Sequence, residues 1–238
     1  KPAFLYNSRI VPVVPFGIKG VIWYQGETNI ADKQYALKQQ ILIEGWRKLW
    51  DEGDFPFYIV QLAPCKDGKD SPSPLPDFWM QQYKAARKTS NTGLISAVEI
   101  GDSNEYHPKN KRDVGLRLAL LALRDTYGMK DVVASGPTYK WVKIDGEKIV
   151  IAFDNTGIGL TTKNGQVPNW IEVADADKKF VKAKAVIQDD TIVINASPVK
   201  NPVYVRYAWD CLAIPNLCNK EGLPAFPFNT AEPFFQQR

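Results

Sequence analysis

Two short polar stretches hold the residue types that could do chemistry. The first is Gln25-Gly26-Glu27-Thr28-Asn29, where an amide, a glycine, a carboxylate and a second amide follow closely on one another. A backbone N–H beside a glycine, paired with an amide side chain, is a donor set able to hold a developing oxyanion. The second runs from Glu99 to Pro108, EIGDSNEYHP, and contains His107, the chain's one histidine. Imidazole moves protons near neutral pH. A carboxylate a few residues away, Asp102 or Glu105 here, can fix its tautomer and stabilise its cation. Each stretch also has a plainer account. Gln25–Asn29 can be a strand-ending turn with Gly26 at positive φ, and the acidic residues around His107 can form a solvated loop capping a helix that begins near Lys109.

The elements that must position these residues follow from the apolar pattern. Val21, Ile22, Trp23 and Tyr24 form a β-branched and aromatic run that predicts a strand buried on both faces. Residues 31–50 show helical spacing through Tyr35, Leu37, Ile41, Leu42, Trp46, Leu49 and Trp50, with Asp32 as a cap. A second strand is expected over 57–62, a helix over 75–89 and a third strand over 93–100. A further helix, over 109–127, is closed by Gly128. Residues 1–18, with three prolines, read as an extended lead-in. The polar loop over 64–76 exceeds most connections in compact domains and is a candidate site wall. Alternating strands and helices predict a parallel sheet with helices on its faces. Right-handed crossovers then bring all three strand ends to one edge, where α/β proteins bind ligands.

After residue 131 the character changes. Strand candidates over 139–144, 148–153, 170–173, 182–187, 191–195 and 203–209 follow in quick succession, with DG, NG and DD turns among them. That pattern predicts an antiparallel β unit over 132–238 behind an α/β domain over 1–131.

Bulk properties narrow the function classes. The 238 residues suffice for a full core, and 45% hydrophobic with 24% charged content is ordinary for a soluble fold. A net charge of +4, without basic runs interleaved with aromatics, argues against a nucleic-acid partner. No apolar stretch reaches membrane-spanning length. Lys1-Pro2 does not read as a natural start, so an upstream segment is expected. Cys211 and Cys218 could form a disulfide with Cys65 left over, or all three could be small unpaired hydrophobes. One histidine and no suitable cysteine spacing leave no metal site.

The segments WYQGETN, DFPFYIVQLA, GD…HPKNK…VG.RLAL, SGP.Y, VRYAW and NL.N..GLPAFPF.T, in that order, resemble the sialate O-acetylesterases, carbohydrate acetylesterases of the SGNH (GDSL-like) hydrolases. The resemblance runs over nearly the whole chain. It implies a flavodoxin-like three-layer α/β sheet, a serine nucleophile, a histidine base and removal of acetyl groups from O-acetylated carbohydrate without a cofactor. On the matching positions His107 is the base. Gln25 and Gly26 help hold the oxyanion, and Glu27 and Asn29 brace their loop. The implied location is secreted, periplasmic or lysosome-like.

Two departures shape the expectation. The family's nucleophile lies in a Gly-Gln-Ser-Asn motif well before WYQGE, and that motif is absent here. The chain is therefore expected to be the C-terminal portion, with its sheet incomplete on the N-terminal side. The serine would come from an N-terminal segment or a second chain. Gly101-Asp102-Ser103-Asn104 resembles the GDSL nucleophile motif, but a serine four residues before its own base does not match that family's order, so it is taken as a chance match. Three before His107 stands Asn104 where the superfamily has Asp. Asp102 is the acid preferred, with Glu105 and Glu99 as alternatives or a dyad without an acid. Acetylxylan esterase is the alternative substrate reading. A non-catalytic carbohydrate-binding fragment, using Trp141, Trp170, Tyr204, Tyr207 and Trp209, is the alternative from another class.

Overall fold

The computed structural model describes residues 3–65, 73–102, 105, 107–197 and 199–236. Ser103 and Asn104, and most of the 64–76 loop, lie outside the described residues. The first layer is a parallel sheet of β1 (Val21–Trp23), β2 (Phe57–Val60) and β3 (Thr92–Ile95), in that order. Helices α1 (Tyr35–Trp50), α2 (Leu75–Lys88) and α3 (Lys111–Leu121) cover it. Alternation along β2 sorts the layers. Phe57 and Ile59 face Ile43 and Trp46 of α1 and Ala86 of α2, whereas Tyr58 and Val60 face Val114, Leu118 and Leu121 of α3. Two right-handed crossovers stepping the same way across a sheet must put their helices on one face, and α1 and α2 share one. The result is the three-layer α/β arrangement expected of the SGNH fold.

β1 departs from expectation. Among the described residues it is an edge strand, and Ile22 is 68% exposed, so it is not buried on both faces there. An all-apolar run cannot announce which neighbours it lacks. The lead-in differs too. Residues 6–10 form a wide helical turn and 11–13 a 3-10 turn. Pro12 sits within the first two positions of that 3-10 turn, where a missing N–H costs nothing.

Thirteen described strands in all are numbered in chain order, and those after β3 are antiparallel. β4 (Thr138–Asp145), β5 (Lys148–Asp154), β9 (Lys184–Gln188) and β10 (Thr191–Asn195) form one four-stranded sheet, in the order β4-β5-β10-β9. β7 (Ile171–Ala174), β8 (Val181–Lys182), β11 (Tyr204–Tyr207) and β13 (Phe228–Asn229) form another, while β6 (Leu160–Thr162) pairs with β12 (Leu217–Asn219). One buried cluster runs from Leu62, Phe78, Trp79 and Tyr83 of the first layer into Tyr139, Tyr207, Phe226, Phe228 and Phe235. Leu94–Ser96, at the end of β3, share one small cleft with Ala134–Gly136 and with Leu223, Pro224 and Phe226. Cys211 and Cys218 are not joined by a disulfide, and burial pushes the Cys218 thiol pKa up.

Candidate active site at the carboxyl edge of the parallel sheet

Because the three strands run parallel, the segments that follow them open on one edge. After β1 the chain enters the Gln25–Asn29 turn, whose Glu27–Asn29 portion is a single 3-10 turn. Gly26 adopts φ +151°, and a Cβ there would lie 2.5 Å from the Phe78 ring and 3.3 Å from Leu62. Only glycine fits both the torsion and the space. Phe78 and Leu62 form the floor of the turn, and the ring of Tyr35 stacks obliquely on Phe78, centroids 4.4 Å apart.

The side chains of this turn are tied to one another. The Gln25 Nε2 donates to Asn29 Oδ1 at 2.8 Å, and the Tyr35 hydroxyl lies 3.0 Å from Gln25 Oε1 and 3.2 Å from the Gln25 carbonyl. Both ends of the amide are thus held, leaving one N–H of Nε2 for a ligand. The Gly26 N–H donates to Glu27 Oε2 at 3.1 Å, and the Asn29 N–H to the Gly26 carbonyl at 2.7 Å. An oxyanion at the Gly26 N–H would have to displace the Glu27 carboxylate. Asp32 does not cap α1 from its expected place. It accepts instead from the Lys38 ammonium and from the Gln34 N–H, which lowers its pKa, and α1 starts later, at Tyr35.

After β3 the backbone turns at Ala97–Ile100 and reaches Gly101, where a Cβ would sit 2.2 Å from the Pro64 carbonyl. The loops after β2 and β3 therefore touch. Glu105 donates its N–H to the Asp102 carbonyl, and its carboxylate accepts from the His107 N–H at 3.1 Å. Glu105 Oε1 also lies 3.9 Å from His107 Nδ1. The imidazole is 78% exposed. Asn110 then caps α3 by accepting from the Asp113 N–H.

Tyr24 joins the two stretches. It immediately precedes Gln25, and the Lys111 ammonium, four residues after His107, sits 4.9 Å above its ring. Burial, with Glu27 and Cys65 nearby, pushes the Tyr24 pKa up to about 12. Glu99, the third candidate acid, is committed elsewhere. Its side chain is only 4% exposed and pairs with Arg117 and Lys163. Sequence reasoning missed Tyr35 and Phe78 as supports of the turn, since both occupy ordinary core positions of their helices. Of the aromatics considered for sugar stacking, Tyr207 is fully buried and Trp141 is 41% exposed. No group of three or more His, Cys, Asp or Glu among the described residues could hold a metal.

Comparisons with known proteins bear on the family and the fold. The family described as "Carbohydrate esterase, sialic acid-specific acetylesterase" matches residues 6–124. The sialate O-acetylesterase of Pongo abelii is 32% identical over 96% of this chain and 49% of its own length, and that of Rattus norvegicus is 29% identical over 86% and 42%. A crystal structure of a carbohydrate acetylesterase from Xanthomonas citri superposes with a TM-score of 0.89 at 39% identity, covering 96% of this chain and 54% of that one. The chain spans about half the length of the curated relatives it matches. The chain belongs to the carbohydrate esterase family of sialic acid-specific acetylesterases.

Proposed function

We propose that this chain is the histidine and oxyanion portion of an enzyme that hydrolyses acetyl esters on carbohydrate, with its serine supplied from outside the described sequence. Residues 1–131 form its hydrolase layer and 132–238 its β unit. In the complete site His107 takes the serine proton as the serine attacks the acetyl carbonyl. The protonated imidazole then gives that proton to the departing sugar oxygen, and it next activates the water that releases acetate. Gly26, through its N–H, and Gln25, through its unused Nε2 proton, stabilise the tetrahedral oxyanion. Glu27 and Asn29 brace that turn. Asp102 is the acid preferred from the sequence, and Glu105, the alternative, has its carboxylate 3.9 Å from the imidazole Nδ1.

The observation that carries this reading is the preformed Gln25–Asn29 turn on the same sheet edge as the His107 loop. A segment completing the sheet has a place to go. β1 leaves its outer side unpaired among the described residues, and Ile22, Leu37 and Ile41 are 68, 56 and 58% exposed there and on α1. Such a segment or second chain would bring the serine, and secretion or a periplasmic or lysosome-like location would suit a glycan substrate.

The test is His107→Ala in a longer protein that carries the upstream segment. The p-nitrophenyl acetate turnover should fall by about 10²–10⁴-fold, and unchanged turnover rejects the assignment. The 238-residue chain alone should show no serine-dependent esterase activity. Fluorophosphonate labelling of it at Ser103 would contradict the external serine. Comparing acetylated sialic acid with acetylated xylan as substrates separates the two esterase readings.

A further inference from the structure

The group most firmly held near the His107 loop is Glu99, and one of its two cations comes from the β unit. Arg117, on α3, donates through Nη1 to the Ser96 carbonyl at 2.6 Å and to Glu99 Oε2 at 3.2 Å, and through Nη2 to Glu99 Oε1. Lys163, in the turn after β6, donates to the same Oε1 at 2.7 Å. The Glu99 and Arg117 side chains are 4% and 6% exposed, and Lys163 is 36% exposed. A carboxylate withdrawn this far from water is tolerated only when cations and hydrogen bonds satisfy both oxygens. Here both are satisfied, and one side chain ties together the end of β3, the middle of α3 and the β6 turn. Tyr207 of β11 and Cys218 of β12 lie close enough for the Glu99 charge to raise their pKa values further, after burial.

Glu99 is also where the path to His107 begins. Two residues on, Gly101 is pressed against Pro64. The far end is fixed by the Asn110 cap and by Lys111 over Tyr24. Between these anchors the Glu105 N–H donates to the Asp102 carbonyl and the His107 N–H to the Glu105 carboxylate. Glu99 and Gly101 fix where the chain enters this stretch, and Asn110 and Lys111 fix where it leaves.

We propose that Lys163 is a positioning residue for catalysis. By holding Glu99, it fixes the upstream end of the His107 loop, so the β unit takes part in placing the general base. This rests on the reading of His107 as that base. If Lys163 served cohesion alone, its loss would lower stability and leave turnover per competent site untouched.

Two measurements test it. In the longer, serine-bearing protein, active sites are counted with a fluorophosphonate and kcat is expressed per labelled site. Lys163→Met should lower that kcat on the order of 10-fold with KM little changed, and Lys163→Arg should recover most of the loss. Lys163→Gln replaces the Met variant should that one not fold. In the 238-residue chain, His107 is the sole histidine, so its ring gives a single set of imidazole NMR signals. These should shift or broaden in Lys163→Met and return in Lys163→Arg. Unchanged kcat per labelled site overturns the proposal, whether or not the imidazole signals move, as does an arginine variant no better than methionine. A longer protein without acetylesterase activity in its unaltered form would instead sink the proposed function, and unmoved imidazole signals would then still refute the anchorage.

Discussion

The Gln25–Asn29 turn and the Asp102–His107 loop leave the same sheet edge but are held in opposite ways. The turn rests on Phe78 and Leu62, has its amide fixed at both ends, and contains a glycine that no other residue can replace in place. The loop carries a 78% exposed imidazole beside a carboxylate 3.9 Å away. Oxyanion stabilisation depends on donors that do not reorganise. In the proposed reading the Gln25 amide meets that need, whereas the Gly26 N–H must first release the Glu27 carboxylate. A proton-transfer group needs an enclosed, oriented setting. In the proposed reading His107 is that group, and the upstream segment supplies its enclosure.

The sharpest way to break the contrast is Gly26→Ala in the longer protein. A methyl group 2.5 Å from Phe78 cannot be housed without moving the turn. Overpacking should cost about 1–3 kcal/mol of stability by urea denaturation. Loss of an aligned oxyanion donor should cost on the order of 100-fold in kcat. A variant that keeps full turnover would show that the turn is not the oxyanion site.

Tyr35→Phe probes the same rigidity more gently. It removes the hydroxyl that holds Gln25 Oε1 and the Gln25 carbonyl. Stability should fall by about 0.5–1.5 kcal/mol, with kcat reduced more than KM is raised. An unchanged kcat would mean that Gln25 orientation does not matter to the chemistry.

For the carboxylates near His107 the expected effects are smaller. An exposed charge pair contributes roughly 0.2–1 kcal/mol, so Glu105→Gln should lower kcat by about five-fold at most, and Asp102→Asn by less. A loss of 100-fold or more in either variant would show that the loop is enclosed in the complete enzyme, and would identify the acid.

Much of this architecture was legible in the sequence, for reasons that also mark its limits. α1, α2 and α3 declare themselves because each must bury an apolar side every three or four residues. The parallel layer follows from their alternation with strands. β6, β8, β12 and β13 span only two or three residues each, too few for any periodicity to register. The expected third strand over 93–100 ends at Ile95, because Ala97–Ile100 turns to bring Glu99 under Arg117. Arg117 looks like a solvated position on its helix, yet it is buried on Ser96 and Glu99. Arg47 repeats this at the other end of the sheet, donating to the carbonyls of Phe55, Ser90 and Asn91. Both guanidinium groups satisfy backbone oxygens that only the folded chain brings together. At the site, residue types pointed to Gln25, Gly26 and His107. The rigidity of one stretch and the exposure of the other depended on neighbours distant in sequence.

The smallest expected effect lies at the junction of the two stretches. Tyr24 has its pKa raised to about 12, first by burial and then by Glu27 and Cys65. Below about pH 10 its phenol is neutral whether the chain is folded or not, so it does not make stability depend on pH. Between pH 10 and about 12 the unfolded chain loses that proton while the folded chain keeps it. The folded state then binds more protons, and stability must fall as pH rises through this window. Tyr35, Tyr58 and Tyr207 are shifted the same way and add to the fall. The informative quantity is therefore the difference between the unaltered chain and Tyr24→Phe, from urea denaturation at several pH values with phenolate absorbance followed in parallel. Tyr24→Phe should show the shallower decline and lose one late-titrating phenol. If that phenol instead titrates at its ordinary pH, the ring is open to water, and the rigid turn and the exposed loop are not joined through Tyr24.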